Sequence, residues 1–270
     1  MKKKKKIIIL CCLLMAAFLI SPLAPRVLSL GVMSVYSHME EKESLMADRN
    51  IKIEIPSAEG WYPFVMTFNA DSGFRAFTGD SSIRLSIMYN FPDFDPLKGC
   101  SRIYDEDSPY YSSFYGAYCV SGDYGFDGKG DLDPEVTASV PEYDMTYLVL
   151  RDLGMDLKDI VFEWKAEKCD ERYTVAGYGG WQRADAEIRV NGLSHRAGGF
   201  LRNYIQYGRP GYEAGGDFEP VSMNGRVYGK YFPEKDCGIF FYIISSDESL
   251  TEDWEKEILA KSSIKTSGGA

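Results

Sequence analysis

Gly238-Ile239-Phe240-Phe241-Tyr242-Ile243-Ile244 runs seven residues without a charge. It is too short for a fully apolar helix, and its isoleucines and aromatics suit a pleated surface. A run of this kind predicts a central strand buried on both faces. Just upstream, Asn224-Gly225 separates Pro220-Val221-Ser222-Met223 from Arg226-Val227-Tyr228-Gly229-Lys230-Tyr231-Phe232. Asn and Gly both tolerate positive φ, so the pair predicts a type I′ turn and a hairpin. Ile188-Arg189-Val190 running into Asn191-Gly192 predicts a second hairpin, and the two together hint at a duplication.

Working outward, Ile83, Leu85, Ile87, Tyr89 and Phe91 alternate with Arg84, Ser86, Met88 and Asn90, the period of a half-buried strand. Ile160, Phe162, Trp164 and Ala166 alternate with Val161, Glu163, Lys165 and Glu167, a strand with one wet face. Two helices stand out. Met145, Leu148, Val149 and Leu153 follow helical spacing after Pro141, with Gly154 as the stop. Ser249-Leu250-Thr251-Glu252 reads as a capping box ahead of a face made by Leu250, Trp254, Ile258 and Leu259. Many strands, few helices and no regular alternation predict an α+β fold built on an antiparallel sheet, with two or three packed helices.

The amino terminus differs from the rest. Five lysines, Lys2 to Lys6, precede Ile7 to Ile20, which carries no polar side chain, and Ser21-Pro22-Leu23-Ala24-Pro25-Arg26 follows. A basic segment before an apolar one is held on the cytoplasmic side, so the remainder is expected outside the cytoplasm. The chain is therefore expected to be a membrane protein contacting the cytoplasmic membrane through residues 7–24. It is then either retained by a transmembrane helix or secreted after cleavage of a signal. Val27-Leu28-Ser29 and Val35-Tyr36-Ser37 are tolerable cleavage sites. Cys11 and Cys12 lie inside the apolar stretch behind Leu10, the wrong setting for lipid attachment, and read as apolar filler. This divides the chain into a leader over 1–36, a charged stalk over 37–50 and one extracytoplasmic domain over 51–265. The Gly- and Asp-rich stretch within 121–140 reads as a loop inside that domain, because either half alone makes a marginal sheet.

Charge excludes one class of partner. Lys2–Lys6 and Arg26 hold six of the 30 basic residues and no acidic residue precedes position 37. Residues 37–270 thus carry 24 basic against 40 acidic groups, a net of −16. An acidic body repels phosphate backbones, so nucleic acid is not an expected partner. The aromatic content of 14%, with 19 Tyr and 15 Phe, is far from that of a disordered chain.

Four groups of residues invite chemistry. Asp123, Asp127, Asp131, Asp133 and Glu135 place five carboxylates in 13 positions among glycines, and Asp127, Asp131, Asp133 and Glu135 are the candidate Ca²⁺ ligands. The order is not that of an EF-hand, and a long solvated turn uses the same residues. Cys100, Cys119, Cys169 and Cys237 allow three disulfide connectivities in an oxidising compartment, and Cys100–Cys119 with Cys169–Cys237 is the pairing chosen first. His195 would have to be the base of any Ser or Cys hydrolase, yet no Gly-x-Ser-x-Gly nucleophile elbow accompanies it. Trp61, Tyr178, Trp181, Tyr207 and Tyr212, set beside Gly or Pro, could stack on sugars or grip a peptide. Tyrosine filling the edges of a sandwich accounts for the same pattern.

The Lys-run leader, the Tyr- and Gly-rich sheet domain and the final Asp253-Trp254-Glu255 helix running into Ser262-Ser263-Ile264-Lys265 resemble uncharacterised exported proteins of Gram-positive bacteria. The ending is similar to the last helix of small PsbP/Mog1-like α+β domains over less than a tenth of the chain, and no functional residue is carried over from it. The expected function is a non-catalytic extracytoplasmic binding or accessory module, with an envelope protein or glycan as partner. The alternative is a cell-surface hydrolase using His195 or a carboxylate pair. A third reading makes the domain a spacer or a subunit of a complex.

Overall fold

Strand β11 (Cys237–Ser245) is buried at every position, which requires a strand on each edge and cover on each face. The edges are β6 (Phe114–Ser121) and β10 (Pro220–Phe232), both antiparallel to it. In the computed structural model, which describes residues 2–21, 23–56, 65–90, 94–95, 100–193 and 219–266, these strands form the middle of an eight-stranded antiparallel sheet. Beyond β6 lie β3 (Leu85–Asn90) and the edge strand β2 (Val65–Asn69). Beyond β10 lie β9 (Tyr178–Asn191) and the edge strand β7 (Phe162–Lys168), with the short β8 (Tyr173–Val175) also pairing β9. The fold is α+β on a mainly antiparallel sheet, as the alternation patterns imply.

Alternation along β11 sorts its side chains into two cores. Phe240, Tyr242 and Ile244 enter the first, with Leu85, Ile87, Tyr118, Val120, Ile188 and Val227. Ile239, Phe241 and Ile243 enter the second, with Tyr115, Ala117, Trp181 and Tyr228. Helix α4 (Asp71–Thr78), helix α5 (Pro134–Tyr143) and the π-helical segment Asp144–Leu150 supply Phe74, Val140, Tyr143, Met145 and Leu150 to the first core. The second is covered by the short α3 (Leu45–Asp48), by the strand pair β1 (Ile51–Glu54) with β12 (Ser263–Thr266), and by α6 (Glu248–Glu257).

Several sequence expectations are corrected. Strand β3 is buried on both faces, because Leu45 of α3 donates its backbone N–H to the Ser86 hydroxyl at 2.9 Å and closes the face expected to be wet. Asn224-Gly225 is no turn: it lies inside β10, with Gly225 paired to Ala186 on one side and Ile244 on the other. Glycine is needed there for close approach, since a Cβ would sit 2.9 Å from Ile188 Cδ1. Asn191-Gly192 is no two-residue turn either. Asn191 pairs with Pro220, so β9 and β10 are one antiparallel pair joined through residues 192–219. The suggested duplication disappears with the two hairpins.

The first helix starts earlier than its apolar spacing implies. Asp133 accepts N–H bonds from Glu135 and Val136 and caps α5 at Pro134, which puts Pro141 inside the helix. Proline gives no N–H to the ladder, and the ladder widens to π spacing from Asp144. The last helix is capped by Asp247, two residues before the expected Ser249, and buries Trp254 as expected.

Residues 37–50 are built into the body and are not a free stalk. The Ser37 hydroxyl accepts the Thr67 N–H at 3.1 Å and the Glu40 carboxylate accepts the Asn69 N–H at 3.0 Å, so α2 (Leu23–Glu43) seals the open edge of β2. Ser44, Leu45 and Met46 are buried. The leader forms α1 (Lys2–Ile20), and the helical run is interrupted at Ser21 before α2. Among the described residues no helix is long and apolar enough to cross a membrane, which corrects the expected spanning helix. The 14 apolar residues Ile7–Ile20 rise about 21 Å, short of the ~30 Å of hydrocarbon.

A charged cleft as the candidate functional site

The second face is covered over β3, β6 and β11 and at Trp181, Tyr228 and Phe232, but is open where β7 meets the Asp185–Glu187 stretch of β9 and the Asn224–Arg226 stretch of β10. There, strand alternation and register stack charges side by side. Lys165 lies opposite Glu187, Glu167 opposite Asp185, and Glu163 opposite Arg189. On the other side of β9, Asp185 lies opposite Arg226 and Arg183 opposite Tyr228. The start of α6 overhangs this ladder and brings Glu248, leaving a cleft of about 310 Å³ lined by Lys165, Glu167, Asp185, Glu187, Arg226 and Glu248.

Behind the cleft is a tight ion-pair network. Arg226 bonds Glu255 of α6 and approaches Asp185 at 3.9 Å. Arg183 meets Asp185 at 2.9 Å and Glu255 at 3.7 Å, and its guanidinium lies 5.2 Å over the Tyr173 ring. The Tyr228 hydroxyl donates to Glu255. Burial works against the Arg183 charge, but its hydrogen bonds to Tyr228 and Cys169 and the Asp185 carboxylate outweigh it and hold the guanidinium protonated. The Cys169 thiol donates to Asp185 at 3.3 Å, and burial pushes its pKa up, which favours the protonated thiol.

The network is incomplete at its floor. Asp185 Oδ1 is enclosed without a hydrogen-bond donor among the described residues. Around it, Lys165, Glu167, Glu187 and Glu248 form no ion pair within 4 Å among the described residues. Three carboxylates against one ammonium leave the mouth electronegative, with a buried acceptor beneath it. Such a site suits an ammonium or guanidinium group that can donate hydrogen bonds.

The residues singled out from sequence are placed differently. Trp181 is fully buried against Phe241 and Phe232, because its position on β9 faces inward; it is no exposed stacking platform. Tyr178 packs its ring edge-on to Phe232 at 5.3 Å. Trp61, His195, Tyr207 and Tyr212 lie outside the described residues. The four acidic-loop residues are turned to separate tasks. Asp127 accepts backbone N–H bonds from Lys129 and Asp131, and these hold its pKa down. Asp131 pairs with Arg172 at 2.6 Å, which depresses its pKa, and with Lys168 at 3.7 Å. Asp133 is the cap of α5, and Glu135 is exposed in its first turn. Among the described residues no three His, Cys, Asp or Glu side chains converge on a metal position.

Cys119, Cys169 and Cys237 carry free thiols, and Cys237 is far from the Cys169 environment in register. Sequence reasoning missed Arg183, Asp185, Arg226 and Glu255. Their signal was the wet face of Ile160–Glu167, which becomes a site only once the register to β9 and β10 is known. No family model, no curated protein and no solved structure matches the chain.

Proposed function

We propose that the protein is a non-catalytic binding module of the extracytoplasmic face, held at the membrane by α1, that accepts a basic side chain of an envelope protein in the charged cleft. Asp185 Oδ1, ringed by Glu167, Glu187 and Glu248, carries the reading: it lacks a donor among the described residues, and a lysine or arginine supplies one together with a positive charge. A basic peptide segment fits better than a glycan, because the cleft presents ionised groups in place of open aromatic faces. The hydrolase alternative gains no support from Asp144, the one fully buried carboxylate among the described residues, which is closed off by Tyr89 and Tyr118.

Membrane attachment is supported by α1 itself. Ile7, Leu13 and Leu19 are about 60% exposed and Ile20 is 85% exposed, so the apolar cylinder is uncovered all round and water is a poor solvent for it. Lys2–Lys6 at its start suit anionic headgroups. An α1 lying in the membrane interface, or a leader cleaved during export, leaves the body on the same side of the membrane.

The test is a titration of full-length protein in detergent with trilysine and with triglutamate, at low and at physiological salt. Trilysine binding that weakens with salt and falls at least tenfold in Glu187→Lys is the expected result. Equal affinity for the two peptides, or an unchanged Glu187→Lys, overturns the cleft assignment. Protease added to intact cells tests the compartment, and a body that resists until lysis removes the extracytoplasmic reading.

A further inference from the structure

Two cysteines that the sequence assigned to different partners meet at the centre of the sheet. Cys119 lies near the end of β6 and Cys237 opens β11, and the register pairs Cys119 with Ile239 and Cys237 with Ser121. The two are therefore diagonal neighbours on adjacent antiparallel strands. Both point into the second core, Cys119 1% exposed and Cys237 0%. The neighbouring Cys237 thiol and then burial push the Cys119 pKa well above its ordinary value. The other candidates are placed elsewhere: Cys169 is engaged with Asp185, and Cys100 lies in β5 (Cys100–Ser101), which pairs with β4 (Phe94–Asp95) in a separate two-stranded sheet.

We propose that Cys119 and Cys237 are a disulfide-forming pair that staples β6 to β11. A cross-link here also closes a long stretch of the chain. Strands β2, β3 and β6 precede the junction and β7, β9, β10 and β11 follow or close it, so the two cysteines stand 118 residues apart in sequence. Closing so long a loop removes more freedom from the unfolded chain than the 19-residue Cys100–Cys119 spacing would.

The oxidant is a small-molecule or protein disulfide. One cysteine thiolate attacks a sulfur of that disulfide, forming a mixed disulfide and expelling a thiolate. The second cysteine thiolate then attacks the protein-bound sulfur, forming the Cys119–Cys237 bond and expelling the other thiolate. Two electrons pass from the pair to the oxidant, whose two released thiols take up the two protons. Because both thiols are enclosed in the folded state, the exchange takes place before β11 docks on β6. That the bond forms in the cell rests on the extracytoplasmic reading above; that the pair can form it does not.

Full-length protein is refolded from urea in a glutathione redox buffer, alkylated, and mapped by peptide mass spectrometry. The same mapping is done on protein taken from envelope fractions without reductant. The expected result is one dominant Cys119–Cys237 peptide in both. A reductant should then lower Tm by roughly 10 °C in the wild type and leave the Cys119→Ser/Cys237→Ser protein unmoved. Recovery of these two cysteines as free thiols after refolding, or joined to Cys100 or Cys169, overturns the proposal. A bond in refolded protein with free thiols in the envelope fraction supports the pair and counts instead against the extracytoplasmic reading.

Discussion

The Tyr118 hydroxyl donates to Asp144 Oδ2 at 3.0 Å inside the first core, and the Tyr118 ring stacks on Tyr242 at 4.4 Å. Tyr89 donates to the other oxygen of the same carboxyl. Asp144 is the first residue of the π-helical segment and is completely enclosed. Burial raises its pKa well above the ordinary carboxylate range. A folded-state pKa above the unfolded one gives stability that is complete below about pH 4 and is lost as pH rises through the folded value. Urea melts across pH 4 to 8 are therefore expected to show a falling contribution that Asp144→Asn abolishes, leaving that variant as stable as the wild type or more so at pH 8. Asp144→Ala removes the acceptor of two tyrosine hydroxyls and costs about 3 kcal/mol at pH 4, less as the pH rises. A wild type whose pH profile matches that of Asp144→Asn contradicts the assignment.

Gly116 marks the tightest point between the sheet strands. A Cβ built there would fall 1.9 Å from the Met88 carbonyl oxygen and 2.5 Å from the Tyr242 hydroxyl. The carbonyl belongs to the β3 backbone, so it cannot swing aside as a side chain does. Gly116→Ala is expected to cost more than about 3 kcal/mol, or to leave the protein in the insoluble fraction. A two-state melt within about 1 kcal/mol of wild type contradicts the packing at this position.

How far the architecture could be read from residue patterns follows from the range of the interactions. The burial of Gly238–Ile244 and the wet face of Glu163, Lys165 and Glu167 were legible because side-chain alternation is local. Asn224-Gly225 misled because a glycine chosen for close approach to Ile188 looks the same as one chosen for positive φ. Arg183, Asp185, Arg226 and Glu255 come from three separate elements, so the network is a product of register, which no local pattern carries. The capping role of Asp133 was not legible, because a capping carboxylate and a metal carboxylate are the same residue in the same kind of loop.

Glu40 substitutes for a missing neighbour strand. Its carboxylate accepts N–H bonds from the Asn69 backbone and side chain at 3.0 Å, while Asn69 Nδ2 also reaches the Glu40 carbonyl at 2.7 Å. Glu40→Ala is expected to lower stability by about 1–2 kcal/mol and to raise amide exchange in β2 while leaving β11 protected. Unchanged exchange at Thr67 and Asn69 contradicts the role of α2 as an edge cover.

The exposed apolar cylinder of α1 gives the last prediction. Leu13 lies at its middle and is 62% exposed, so it supports no packing inside the body. Leu13→Arg should leave the melting behaviour of the body within about 0.5 kcal/mol, as for a surface change. In lipid the same substitution costs about 3 kcal/mol at mid-depth, which corresponds to a loss of roughly a hundredfold in partitioning. Flotation of full-length protein with anionic vesicles measures this directly: wild type should rise with the lipid and Leu13→Arg should stay in the dense fraction. Equal flotation would place the attachment elsewhere in the chain, and the Lys2–Lys6 cluster would then be tested by the salt dependence of the residual binding.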